Sequence, residues 1–132
     1  MKKLLTLCAL IGLFSYPALA NTRTETIDAT TDLVEVTQIK RNSSQGESYK
    51  ASVLLYGTFN GCTIHWLIST DDGTTKTAVK NLSGSSVTST AADNFGFAWG
   101  LPSGNGDGAI LYASAAGCSS APSLTVDVQD NR

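Results

Sequence analysis

One short run, CTIHWLIS at residues 62–69, does most to restrict what this chain can become. Cys62, Ile64, Trp66 and Ile68 fall on one side of a two-residue period; Thr63, His65, Leu67 and Ser69 fall on the other. A helix would scatter the first four around its circumference, whereas a strand aligns them on one core-facing side. Residues 57–61 turn the chain into this strand. Asp71-Asp72-Gly73 turns it out again, with Gly73 able to take the positive φ of a tight hairpin. The whole stretch from Tyr56 to Thr75 is therefore turn, strand and hairpin turn. It also holds the single histidine, one of two tryptophans and one of three cysteines.

The same period recurs along the chain. Strands are expected at residues 33–39, 49–56, 62–69, 76–82, 85–91, 94–99, 109–114 and 123–128. In the second, Ala51, Val53 and Leu55 oppose Ser52, Leu54 and Tyr56, so both faces carry apolar residues. That pattern suits a strand covered on both sides or central in its sheet. Phe95, Phe97 and Trp99 share one face, and Leu124, Val126 and Val128 alternate with Thr125 and Asp127. Polar or glycine-rich loops separate the strands, KRNSSQGES at 40–48 and LPSGNGDG at 101–108. About eight short strands with no helical pattern after residue 20 predict an all-β fold. The expectation is a single antiparallel β-sandwich, Ig-like or jelly-roll-like.

Residues 1–20 stand apart. Lys2 and Lys3 precede an apolar run from Leu4 to Phe14, and Ala18-Leu19-Ala20 supplies a small–x–small cleavage pattern. The run is shorter than the roughly 20 residues that span a bilayer, so a cleaved signal peptide is expected and no stable membrane span after it. Residues 21–32, polar and threonine-rich, read as a flexible N-terminal arm, and 33–132 as the sandwich domain. Without Lys2 and Lys3 the chain has seven basic residues against eleven acidic ones, a net charge of −4. With its basic residues scattered, nucleic acid is not an expected partner. Cys62 and Cys118 remain, in a chain sent to an oxidising compartment. They are expected to pair, closing a long loop for about 4 kcal/mol; the alternative is two buried thiols.

No residue set announces catalysis. His65 has no HxH, CxxC or GxSxG context and reads as a structural histidine. Asp71, Asp72, Asp93 and Asp107 lie in expected turns, where Asp is favoured for backbone reasons, and none has the spacing of a calcium loop. Two cysteines and one histidine are too few for structural zinc. No catalytic residue, metal or cofactor is expected. Tyr56, Phe59, Trp66, Trp99 and Tyr112 are candidates for a sugar-stacking platform, but their strand positions favour core packing; Phe59, beside Asn60-Gly61, is the one expected to be exposed. The candidate ligand-contact positions are Phe59, Asn60, Asp71, Asp72, Asn105 and Asp107, all in loops.

The stretch SVLLYGTFNGCTIHWLISTDDGTT resembles a frame common in small β-sandwich proteins of tailed bacteriophages. Gly57-Thr58-Phe59, Gly61, Thr63, Ser69 and Asp72-Gly73-Thr74-Thr75 keep that frame. TSTAADNFGF and PSLTVDV resemble the second half of the same pattern, so the likeness spans about residues 50–128. The resemblance implies a β-sandwich fold and a non-enzymatic, virion-associated role, such as a head or neck accessory. Cys62 stands where the pattern has a small residue, and an export leader is not part of it.

The expected protein is thus an exported, non-enzymatic β-sandwich with a structural or interaction role, perceived as phage- or prophage-derived through the resemblance alone. The alternatives are a secreted carbohydrate- or surface-binding module and a fibre- or pilus-type subunit that self-assembles through its N-terminal arm. A protein partner or a surface polymer fits each of them.

Overall fold

The computed structural model describes residues 21–39, 49–99 and 109–130, less the side chains at several strand ends. Nine strands follow in chain order: β1 (Asn21–Ile27), β2 (Leu33–Ile39), β3 (Tyr49–Thr58), β4 (Thr63–Ser69), β5 (Thr77–Ala78), β6 (Thr88–Ser89), β7 (Asp93–Trp99), β8 (Ala109–Ala116) and β9 (Ser123–Asp130). No helix occurs among the described residues. Residues 1–20, expected to be a signal peptide, and residues 40–48 and 101–108, expected to be loops, lie outside the described residues, and with them Asn105 and Asp107.

The strands form two antiparallel sheets, β1-β9-β3-β7 and β2-β8-β4-β5, with β6 also pairing β4. The pairing is nested: β1 with β9, β2 with β8, β3 with β7, and β4 with β5. The pairs β3–β9 and β4–β8 then join these ribbons side by side. One long hairpin rolled on itself produces this order, which is that of a jelly roll. In an Ig-like sandwich the last strand would join the sheet of β4 and β8; here β9 lies in the other sheet.

Facing residues of the two sheets fill the core. Val53, Leu55, Val126 and Val128 come from one sheet, Ile64, Trp66, Leu111 and Ala113 from the other, all buried. Trp66 meets Phe95 edge-on, ring centroids 4.9 Å apart at 75°. This is the geometry that the ring quadrupoles prefer. The side chains of Phe97 and Trp99, expected on the same core face as Phe95, lie outside those described.

Two tight turns bracket β4. Cys62 N donates to Phe59 O at 2.9 Å across Asn60 (φ 50°) and Gly61 (φ 78°). Thr74 N donates to Asp71 O at 3.2 Å across Asp72 (φ 56°) and Gly73 (φ 82°). Both central residues of each turn have positive φ, as a type I′ turn requires. The first turn is stitched to the β8–β9 connection. Cys62 and Cys118 form a disulfide, Ser119 N and Oγ donate to Asn60 O, and Asn60 Nδ2 donates to Ala121 O. The bond fits an oxidising compartment, and no described helix is long and apolar enough to cross a membrane.

Residues 21–27, expected within a flexible arm, are instead the edge strand β1, paired with β9 along its whole length. Thr22, Thr24 and Thr26 point outward, while Arg23, Glu25 and Ile27 share the core-facing side with Val128, Val126 and Leu124. Only Ile27 of these three is fully buried. Arg23 Nε donates to Glu25 Oε1 at 2.6 Å, and Nη1 to Glu35 Oε1 of β2 at 3.4 Å. Such half-exposed pairs contribute at most about 1 kcal/mol. Charges on the inner side of an edge strand do more as a guard, because they oppose pairing with another sheet. A turn held by Asp32 Oδ2, which accepts from Asp28 N and Ala29 N, then carries the chain to β2.

The weak strands expected at 76–82 and 85–91 contract to β5 and β6. Between them stand one bridge, Lys80 to Ser86, and a turn built on Asn81, whose Oδ1 accepts from Ser83 N and Ser85 N.

Candidate binding face

The described loop positions among those singled out from sequence, Phe59, Asn60, Asp71 and Asp72, are not brought together. Phe59 and Asn60 precede β4 and Asp71 and Asp72 follow it, a strand length of roughly 20 Å away. Each has a structural task. Phe59 is half-buried and packed against the core rather than exposed. Asn60 is occupied in the turn contacts with Ser119 and Ala121. Asp71 Oδ1 accepts from Ser69 Oγ at 2.7 Å and Thr75 N at 2.8 Å. Hydrogen bonds from Thr75 and from Ser69 hold its carboxyl down at about 2. Asp72 supplies one of the positive φ values. His65 is half-buried on the outer side of β4, opposite Ser114 and Thr88. No group of three or more His, Cys, Asp or Glu gathers as for a metal among the described residues.

The two outer faces of the sandwich differ. On the five-stranded sheet, the loop after β4 folds back over β8. An added Cβ at Gly73 would come 2.6 Å from Tyr112 Oη, and Lys76 Nζ stands 4.9 Å from the Tyr112 ring centroid. Ile110 and Tyr112 are buried beneath it, although they point away from the core. Burial, then the negative charges of Glu35, Asp72 and Asp71, push the Tyr112 phenol up.

Among the described residues, no segment folds over the outer face of the four-stranded sheet. Register places its outward side chains in cross-strand rows: Thr26, Thr125 and Tyr56; then Thr24, Asp127, Leu54 and Asn94; then Thr22, Gln129, Ser52 and Gly96. Leu54 is 44% exposed and Tyr56 41% exposed. β3 is central in its sheet, as one of the two sequence readings had it, and open on this side. Tyr56 was expected to pack in the core; parity puts it outside instead.

Asp127 organises this surface. Thr24 Oγ1 donates to its Oδ1 at 2.6 Å, and Tyr56 Oη donates to its Oδ2 at 3.1 Å. The bond to Asp127 keeps the Tyr56 proton in place and raises its phenol, helped by desolvation. A groove of about 340 Å³ runs beside them, lined by Thr22, Ser52, Leu54, Asn94, Asp127 and Gln129. At Gly96 an added Cβ would meet, among the described residues, nothing nearer than Ala51 O at 3.8 Å. None of these groove residues was singled out as a site from sequence. The signal was the face parity of β3 and β9, read there only as packing.

Comparison of the chain with protein-family models, with curated proteins and with solved structures finds no match.

Proposed function

We propose that this chain is an exported, non-catalytic jelly-roll protein that works by binding, through the outer face of its four-stranded sheet. The observation that carries the reading is the contrast between its two outer faces. One is roofed by the protein's own loop, and the other presents fixed polar groups beside exposed Leu54 and Tyr56. A carboxylate held by two donors, with an aromatic ring locked to it, is preorganised for a partner and loses little freedom on association. Of the polar loop side chains proposed from sequence, Asn60 and Asp71 are taken up in turn contacts. The disulfide and the leader-like residues 1–20 support export. Cleavage after Ala20 would leave β1 whole, since the strand begins at Asn21.

The phage-type frame supports the fold in this reading, because its residues fill the two turns around β4. A virion-accessory role is the form the binding takes if the partner is another capsid component. The fibre-type alternative fits less well, since the segment it would lend to a neighbour is paired with β9 in cis.

The test is fractionation of cells expressing the full chain, with mass measurement of the product. A processed, oxidised protein beginning at Asn21 and sedimenting with envelope or particle fractions supports the reading. Recovery only as a free monomer in the periplasm or medium overturns it.

A further inference from the structure

Resting on that binding role, we infer that the groove beside Asp127 is a subsite for an uncharged sugar chain, with Leu54 in its wall and the Tyr56 ring exposed in the adjacent cross-strand row.

The chemistry of the face selects this ligand class. A sugar ring offers C–H surface on its faces and hydroxyl groups at its rim, so it needs an exposed apolar wall next to dense, mixed donors and acceptors. Tyr56 and Leu54 are two residues apart on β3, on the same side, about 7 Å from each other along the strand. Asp127 stands directly opposite Leu54, and Asn94 flanks Leu54 on the other side. Gln129 and Ser52 form the next row. Amides donate and accept together, and a carboxylate that has accepted one bond on each oxygen keeps a further lone pair on each for a ligand hydroxyl. Hydrogen bonds to that charge are the stronger kind. The groove volume of about 340 Å³ lies at the small end of ligand-sized sites.

The Asp127 carboxylate and its polar neighbours disfavour the obvious alternatives. Asp127 is the acidic side chain of this face among those described, and it accepts from Thr24 and Tyr56. Phosphorylated, sulfated or uronic-acid polymers would bring like charge to the Asp127 carboxylate. A hydrophobic protein partner would leave Asp127, Asn94 and Gln129 needing partners of their own, at a cost for each one buried without them. An uncharged polyol satisfies all of them at once.

The experiment is affinity electrophoresis of the exported, oxidised protein through gels holding one soluble polysaccharide each: a mixed-linkage β-glucan, an arabinoxylan, a galactomannan, or hyaluronan as the anionic counterpart. The expected result is retardation by at least one neutral polymer and none by hyaluronan. Asp127→Ala and Tyr56→Ala should each weaken that retardation tenfold or more. Gly96→Leu, which adds bulk to the row of Gln129 and Ser52 without removing a polar group, should weaken it too. The Trp66 near-ultraviolet signal checks that each variant is folded, and Gln129→Ala replaces any that is not. No retardation by any neutral polymer, preferential retardation by hyaluronan, or binding untouched in the folded variants would each overturn the inference. Sedimentation with envelope or particle fractions that persists after those outcomes would leave the binding role standing and point to a protein partner instead.

Discussion

The indole nitrogen of Trp66 donates to the hydroxyl of Ser89 at 3.1 Å, and that hydroxyl in turn donates to Asp93 Oδ2 at 3.0 Å. The relay starts on β4, passes through β6 and ends on β7, so it crosses from one sheet to the other. Trp66 is completely buried and Ser89 nearly so. A rare residue in the chain's most regular strand is thereby a core pillar whose polar atom has an acceptor, which is how buried indoles are tolerated.

Ser89→Ala removes that acceptor while deleting a single oxygen. A buried donor deprived of its partner costs about 1–3 kcal/mol. Urea unfolding should show a lower midpoint with an unchanged slope, since the surface exposed on unfolding is the same. An unchanged midpoint would mean that the relay contributes nothing to stability.

The Cys62–Cys118 disulfide joins the turn before β4 to the connection after β8, 56 residues apart in sequence. Its chief effect is on the unfolded chain, where it removes about 4 kcal/mol of loop entropy. A Cys62→Ala/Cys118→Ala double variant should therefore unfold at a markedly lower urea concentration than the oxidised protein. The bonds from Ser119 and Asn60 across the same junction should keep the variant folded in the absence of denaturant. Equal midpoints for the two proteins would contradict the assignment of the bond to stability.

Where apolar residues recur on one face, the alternation alone was sufficient to read the strand: β3, β4, β7, β8 and β9 all lie where it puts them. The sandwich class follows from the same signal. β1 was hidden because its inner side carries Arg23 and Glu25, and one isoleucine makes no period. Its partner is the backbone of β9, which no local pattern records. The binding face was half-legible. Parity puts Tyr56 and Asp127 on outward sides, but which sheet stays open depends on the loop after β4 folding over Tyr112. That contact joins residues far apart in sequence. Phe59 misled for a related reason: a side chain beside an Asn-Gly turn normally faces water, and here the turn leans into the disulfide end.

Gly57 and Gly84 share a backbone sign and differ in surroundings. Gly57 has φ 124° in β3, and an added Cβ would lie 2.2 Å from Ser123 O of β9. Gly84 has φ 82° in the surface turn on Asn81, where an added Cβ would meet no described atom within 4 Å. Gly84→Ala should cost about 1 kcal/mol, the lower end of what a left-handed non-glycine residue costs. Gly57→Ala adds a backbone clash in the β3–β9 pairing and should lose at least about 3 kcal/mol. Thermal melts of the two variants side by side give the comparison; equal losses would show that β9 moves aside freely at Ser123.

Asp71 makes the last prediction one about acid. Its folded carboxyl titrates at about 2, below the usual carboxylate range, because Thr75 and Ser69 donate to its charged form. A group depressed on folding binds its proton more readily in the unfolded chain, so its stabilising effect is complete above the unfolded value and fades as pH falls towards the folded one. The window therefore runs from about pH 4 down to about pH 2. In that range the turn holding Gly73 against Tyr112 should loosen, since Ser69 Oγ is bonded to both Asp71 and Gly73 N. Carbon-detected NMR should place the Asp71 midpoint near 2, with Gly73 and Thr75 amide shifts following the same curve. Asp71→Asn should abolish those coupled amide shifts. A midpoint near 4 would show that the carboxylate is not held by the turn.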